Sequence, residues 1–134
     1  MKSKNAFSFI EIMTVIVIIG ILAAAAIPIM RGRVDSAKWS EGKAIAGTIA
    51  TMLRAHIAEK SSNFSAVPTL AELGFTANDL TGNYFTGGES GAGNFSWVIN
   101  DDDPVDFLIT VTAPVGINTP SKITLDHTGK YSDN

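Results

Sequence analysis

The residues best suited to hold an ion are five aspartates near the C-terminus: Asp101, Asp102 and Asp103 in one run, then Asp106 and Asp126. Their hard carboxylate oxygens are the ligands that calcium takes. The spacing is not that of an EF-hand loop, and a solvated hairpin turn accounts for the same run. Two histidines stand far apart in the chain. His56 falls beside an apolar helical stripe near Glu59 and reads as a structural residue, while His127 sits in the turn Asp126-His127-Thr128-Gly129. There is no cysteine, and no phosphate loop, nucleophile elbow or zinc spacing appears. An enzyme is therefore the least supported class, and no cofactor beyond calcium is suggested.

Glu11 is the acid whose position demands a reason. It stands at the head of 19 residues without a charge, Ile12 to Met30, flanked by Lys2 and Lys4 before and by Arg31 and Arg33 after. As a helix this stretch rises about 28 Å, close to the hydrocarbon thickness of a bilayer. An ionised carboxylate facing lipid costs about 2.5–3.5 kcal/mol near the bilayer centre and less toward the interface. Gly20 and Pro28 lie inside the stretch; Pro28 removes a helical donor, so the pair is expected to loosen the helix between them. Basic residues flank both ends, so the positive-inside rule does not fix the orientation. A secretory signal peptide is the competing reading, with Ile12 to Leu22 as its apolar core and a cut near Ala25. Against it, the apolar character continues past the alanines to Met30, and an acid at the head of the core is unusual.

The string Lys4-Asn5-Ala6-Phe7-Ser8-Phe9-Ile10-Glu11, continued through Gly20 to Pro28, resembles the N-terminal segment of type IV pilins and type II secretion pseudopilins. The likeness covers residues 4 to 28: a short basic leader, a small residue, Phe, Glu four residues later, then Gly and Pro. Ala6 stands where Gly is usual, and Ser8 and Phe9 where Thr and Leu are more frequent. The resemblance implies that prepilin peptidase cuts between Ala6 and Phe7 and methylates the Phe7 amine. It also implies that Glu11 pairs with the Phe7 amine of an adjacent subunit. Trimming would remove Lys2 and Lys4 and no acid, taking the side-chain charge from -3 to -5. The implied partners are copies of the chain and related pilins, the peptidase and an inner-membrane assembly platform. The implied location is the bacterial inner membrane before assembly, with the head outside the cytoplasm, and a periplasmic pseudopilus or cell-surface pilus afterwards. Major pseudopilins carry calcium in their C-terminal region, so the likeness also raises that use for the five aspartates.

These residues need a long helix and a head. From Arg31 to about Lys60 the apolar residues Ile45, Ile49, Met52, Leu53 and Ile57 recur at three- and four-residue spacing, with Lys43, Arg54 and Glu59 left to solvent. Val34 and Ala37 extend that stripe backwards, and Gly32, Gly42 and Gly47 weaken the helix. Thr69-Leu70-Ala71-Glu72 is a capping-box sequence stopped by Gly74; Thr76-Ala77-Asn78-Asp79 repeats the signal with Gly82 closing it. After the glycine-rich stretch Thr86 to Gly93, three segments alternate with period two. Phe95, Trp97 and Ile99 share one face, as do Phe107, Ile109, Val111 and Ala113, then Ile123 and Leu125. A small antiparallel sheet of this kind needs a cover, and the Ile45–Ile57 stripe supplies it.

The expected fold is therefore α+β and pilin-like: a long N-terminal helix, transmembrane in its first half and amphipathic in its second, packed against a small antiparallel sheet. Residues 1–6 form a leader, 7–30 a transmembrane assembly helix, and 31–134 the amphipathic helix with its head. With 134 residues there is room for one such domain. A formal charge of -3 argues against a nucleic-acid partner. A structural filament subunit is the leading function; a secreted, non-enzymatic binding module is the alternative.

Overall fold

The computed structural model describes residues 8–60, 65–76, 78–100, 105–117 and 119–133. Among the described residues there are one helix, α1 (Phe9–Lys60), and four strands: β1 (Phe95–Asn100), β2 (Asp106–Thr112), β3 (Lys122–Asp126) and β4 (Tyr131–Asp133). It divides into two compact units, Met1–Val34 and Asp35–Asn134. The architecture is the α+β arrangement expected from the sequence.

In the first unit, α1 leaves its apolar side chains bare. Ile16, Ile19, Leu22 and Met30 are all exposed, and the same holds for the other large hydrophobics between Phe9 and Met30. This part of α1 is long and apolar enough to cross a membrane. The helix continues through Pro28. Proline has no N–H, so the Ala24 carbonyl loses its helical donor there.

In the second unit the strands form a meander, β1-β2-β3-β4, antiparallel throughout. The register pairs Trp97 with Ile109 and Ile109 with Leu125, so one face collects Phe95, Trp97, Ile99, Phe107, Ile109, Val111, Ile123 and Leu125, all buried. That is the alternation read from the sequence. β4 is an addition to the three expected strands. It is only three residues long, and its antiparallel pairing returns the chain along β3 after the turn at Gly129, whose φ is +88°.

The helix seam facing this core is Trp39, Gly42, Ala46, Ile49, Ala50, Leu53 and His56. Ile45, Met52 and Ile57 only flank it. Val34 and Ala37 do not extend it: both are exposed, and Trp39 takes that place instead. The reason is size. Glycine and alanine at positions 42, 46 and 50 let other residues approach closely, so the seam centres on small residues that a search for large apolar ones underweights. Gly42 admits the Phe85 ring, which stands 5.2 Å from Trp39 and 5.9 Å from Phe95 by centroid.

Between helix and sheet run the two capped turns. The Thr69 N–H donates to Glu72 Oε2 at 2.8 Å and the Glu72 N–H returns to the Thr69 hydroxyl at 3.3 Å, the reciprocal pattern of a capping box. Gly74 stops this turn with φ +77°. Thr76 and Asp79 form half of such a box: the Thr76 N–H reaches Asp79 Oδ2 at 2.6 Å, while the Asp79 N–H returns to the Thr76 carbonyl at 3.1 Å. Gly82 has a different purpose from the stop expected of it: the Glu41 carboxylate occupies the space a Cβ would need. The outer edge of β1 is covered by residues on either side of these turns, Ala66 before them and Ser90 after. The Ile99 N–H donates to the Ala66 carbonyl at 2.7 Å, and the Trp97 N–H to the Ser90 hydroxyl at 2.7 Å. An edge strand closed in this way does not template pairing with another chain.

Candidate functional site

The helix starts where its chemistry sits. Ser8 is the N-cap: its carbonyl accepts the Glu11 N–H at 3.0 Å, and its own N–H donates to Glu11 Oε2 at 2.9 Å. Ser8-Phe9-Ile10-Glu11 is thus half of a capping box. Sequence reasoning misses this role for Ser8, although the Ser-x-x-Glu spacing carries the signal. The bond orients the Glu11 carboxylate over the first turn, where the helix dipole favours a negative charge. A carboxylate has about four acceptor positions, so one donor leaves room for a cationic partner. Glu11 is exposed, among bare neighbours that include Phe9, Ile10 and Ile12.

Along the same apolar run the polar groups are satisfied internally. The Thr14 hydroxyl donates to the Ile10 carbonyl at 2.8 Å, as a hydroxyl in a lipid-facing helix must. Gly20 faces open space, with no heavy atom that a Cβ would meet. Ala6 and Phe7 lie outside the described residues.

Residues 1–27 match the prokaryotic N-terminal methylation motif. The chain carries a pilin-type processing signal. The methylation motif is the hallmark of type IV pilins and pseudopilins, and here it spans 27 of the 134 residues. The motif takes in Ala6, Phe7, Glu11 and Gly20 but ends one residue before Pro28. Together with the apolar helix it supports anchoring in a membrane. No curated protein and no solved structure shows significant similarity to the chain.

The aspartates of the candidate calcium site fall in different circumstances. Asp101, Asp102 and Asp103 lie outside the described residues. Asp106 opens β2 and accepts the Asn100 side-chain amide at 2.7 Å, with His127 Nδ1 3.9 Å from its other oxygen. Asp126 ends β3 and spends Oδ1 on its own turn, accepting from the Thr128 hydroxyl and from the N–H groups of Thr128 and Lys130. The Thr128 hydroxyl bond, followed by the Lys130 N–H bond, holds this carboxyl below the usual range. Among the described residues no three acidic or histidine side chains gather as a metal site. His127 also gives its carbonyl to Arg54, whose guanidinium lies over the Phe107 ring. His56 is buried in the helix seam, and its Nε2, like Trp39 Nε1, has no hydrogen-bond partner among the described residues.

One residue of consequence to the head carries no sequence signal. Glu41 Oε1 accepts the N–H groups of Tyr84 at 2.8 Å and Phe85 at 3.0 Å, tying the residues just before the glycine-rich stretch to α1. Desolvation raises this carboxyl, but the backbone donors of Phe85, Tyr84 and Asn83 outweigh it, so the group sits below its ordinary range.

Proposed function

We propose that this chain is the precursor of a structural subunit of a type IV pilus-like filament or of a type II secretion pseudopilus. Prepilin peptidase cuts it between Ala6 and Phe7 and methylates the new Phe7 amine. The subunit waits in the bacterial inner membrane, and an inner-membrane assembly platform passes it, with its copies and related pilins, into a periplasmic or cell-surface filament. The observation that carries this reading is the methylation motif, set on a bare apolar helix with Glu11 in its first turn.

The chemistry follows from the need to neutralise that carboxylate. An unpaired charge in an apolar bundle is costly. Cleavage creates a cationic amine at Phe7, and methylation of an amine keeps its charge. Paired with Glu11 of the neighbouring subunit, the amine sets the register between copies, since any slip would strand two charges in an apolar surrounding.

Mass spectrometry of the mature protein tests the processing step. The expected N-terminus is methylated Phe7; a chain beginning near Ala26 would instead make the protein a secreted binding module and overturn the proposal. The assembly step is tested by Glu11→Ala, which should be processed normally yet yield no filaments. Filaments of normal abundance from that variant would remove Glu11 from the mechanism.

A further inference from the structure

The motif accounts for the N-terminal border of the apolar span but not for its other border, where Arg31 and Arg33 stand. Both are exposed, and among the described residues neither guanidinium makes a hydrogen bond or an ion pair. Their placement is informative in two ways. Arg31 follows Glu11 by 20 positions, a rise of about 30 Å, which matches the hydrocarbon core. With Glu11 at one edge of the span, Arg31 is therefore at the other. Second, residues two apart on an α-helix point about 160° apart around its axis. The two guanidinium groups thus lie on opposite sides of α1 and form a collar instead of a patch.

A collar selects its partner. One neighbouring protein meets a helix from one side and reaches one of two opposed groups. A layer of lipid headgroups surrounds the helix and offers phosphate oxygens in every direction. Arginine suits that layer: its planar fork binds phosphate in bidentate fashion, and its long stem lets the charged end reach the interface while the methylenes stay apolar.

We propose that Arg31 and Arg33 together bind lipid headgroup phosphates at the far border of the apolar span and so fix the depth of the subunit in the bilayer. This rests on the membrane-held reading above. The competing anion is the head of another copy. Of the 10 basic and 13 acidic side chains, four and one precede Asp35, so the rest of the chain carries a net charge of -6.

The test uses the full chain, labelled with ¹³C at arginine Cζ, in vesicles of phosphatidylethanolamine and phosphatidylglycerol. Co-flotation with the vesicles is measured first, then the dipolar loss of each Cζ signal to lipid ³¹P. The chain has three arginines, and Arg54, held by the His127 carbonyl and the Phe107 ring, is the internal reference. Both Arg31 and Arg33 signals should be attenuated by phosphorus; R31Q and R33Q, each still co-floating, should remove one attenuated signal apiece. Attenuation of one arginine alone, or of neither, in a chain that co-floats overturns the collar; coupling to carboxylate carbons in place of phosphorus assigns the groups to a neighbouring head. A chain that does not co-float overturns the membrane-held reading itself, a separate outcome.

Discussion

Gly42 and Gly47 lie five positions apart in the same helix, and replacing each by alanine should have opposite effects. Both substitutions gain helix propensity, about 0.8–1 kcal/mol. The surroundings differ. A Cβ at position 47 would meet only the Tyr131 hydroxyl at 3.8 Å, an ordinary contact. At position 42 it would stand 2.7 Å, 2.8 Å and 3.0 Å from three atoms of the Phe85 ring. That ring is fully buried and wedged between Trp39 and Phe95, so it has no free direction in which to retreat. Overpacking of this kind costs about 1–3 kcal/mol. Because the propensity gain is common to both variants, their difference isolates the packing cost. Among the described residues the buried core begins at Trp39, so a fragment beginning at Arg31 is suitable for thermal melting. At about 4–8 °C per kcal/mol for a domain of this size, G47A should melt several degrees above the parent, and G42A should fall below G47A by the packing cost. Equal midpoints for the two variants, or G42A as the more stable, would show that Phe85 is not locked against the helix.

Two further perturbations read the ties between helix and head. Glu41→Gln should cost about 1 kcal/mol, because one charge-assisted acceptor serving two N–H groups becomes a neutral one. It should also change the acid response: the folded carboxyl binds its proton less readily than the unfolded one, so its contribution is present above about pH 4.3 and is lost as pH falls further. Urea titrations between neutral and acid pH should therefore show a smaller gap between parent and variant at the acid end; a gap that widens there contradicts the assignment. Tyr131→Phe removes the hydroxyl that donates to the Lys43 carbonyl at 2.8 Å and should cost about 0.5–1.5 kcal/mol. Burial raises the Tyr131 pKa, so in the parent this contribution is present below about pH 10 and disappears as pH rises through the folded value. Parallel stability curves for parent and variant across that range would show the phenol to be solvated instead.

The sheet is legible in the sequence because its signal is local. Phe95, Trp97 and Ile99 recur at every second position, and so do Phe107, Ile109 and Val111; the period survives the apolar but exposed Val98 and Leu108 between them. β4 is not legible, since three residues cannot display a period, and Tyr131-Ser132-Asp133 has one apolar side chain. For the helix, the sequence pattern is right in extent, and Ile49 and Leu53 of its stripe are buried. Ile45, Met52 and Ile57 only flank the seam, which is turned toward Gly42, Ala46 and Ala50 because small residues allow close approach. Gly42 shows the inversion best: a residue expected to weaken the rod is the one that admits the Phe85 ring.

The candidate site divides along the same line. The methylation motif can be read from sequence because it is linear: Ala6, Phe7 and Glu11 lie within one short stretch of the matched residues 1–27. Even its helix start follows from a three-position spacing, Ser8 to Glu11, that no distant element has to supply. The head obeys a different rule. Glu41 has its effect through Tyr84 and Phe85, more than forty positions away, and an isolated glutamate on a helix gives no hint of such partners. The same dependence on distance applies to Asp106 and Asp126. They share a chemistry in the sequence, but the fold gives one to Asn100 and the other to its own turn. Two carboxylates already committed to separate donors make a weaker cation site than five free ones would. On the proposed reading as a filament subunit this division follows: the processing signal lies within the N-terminal residues, while the head, which has no cysteine, holds together through ties that only the folded chain creates.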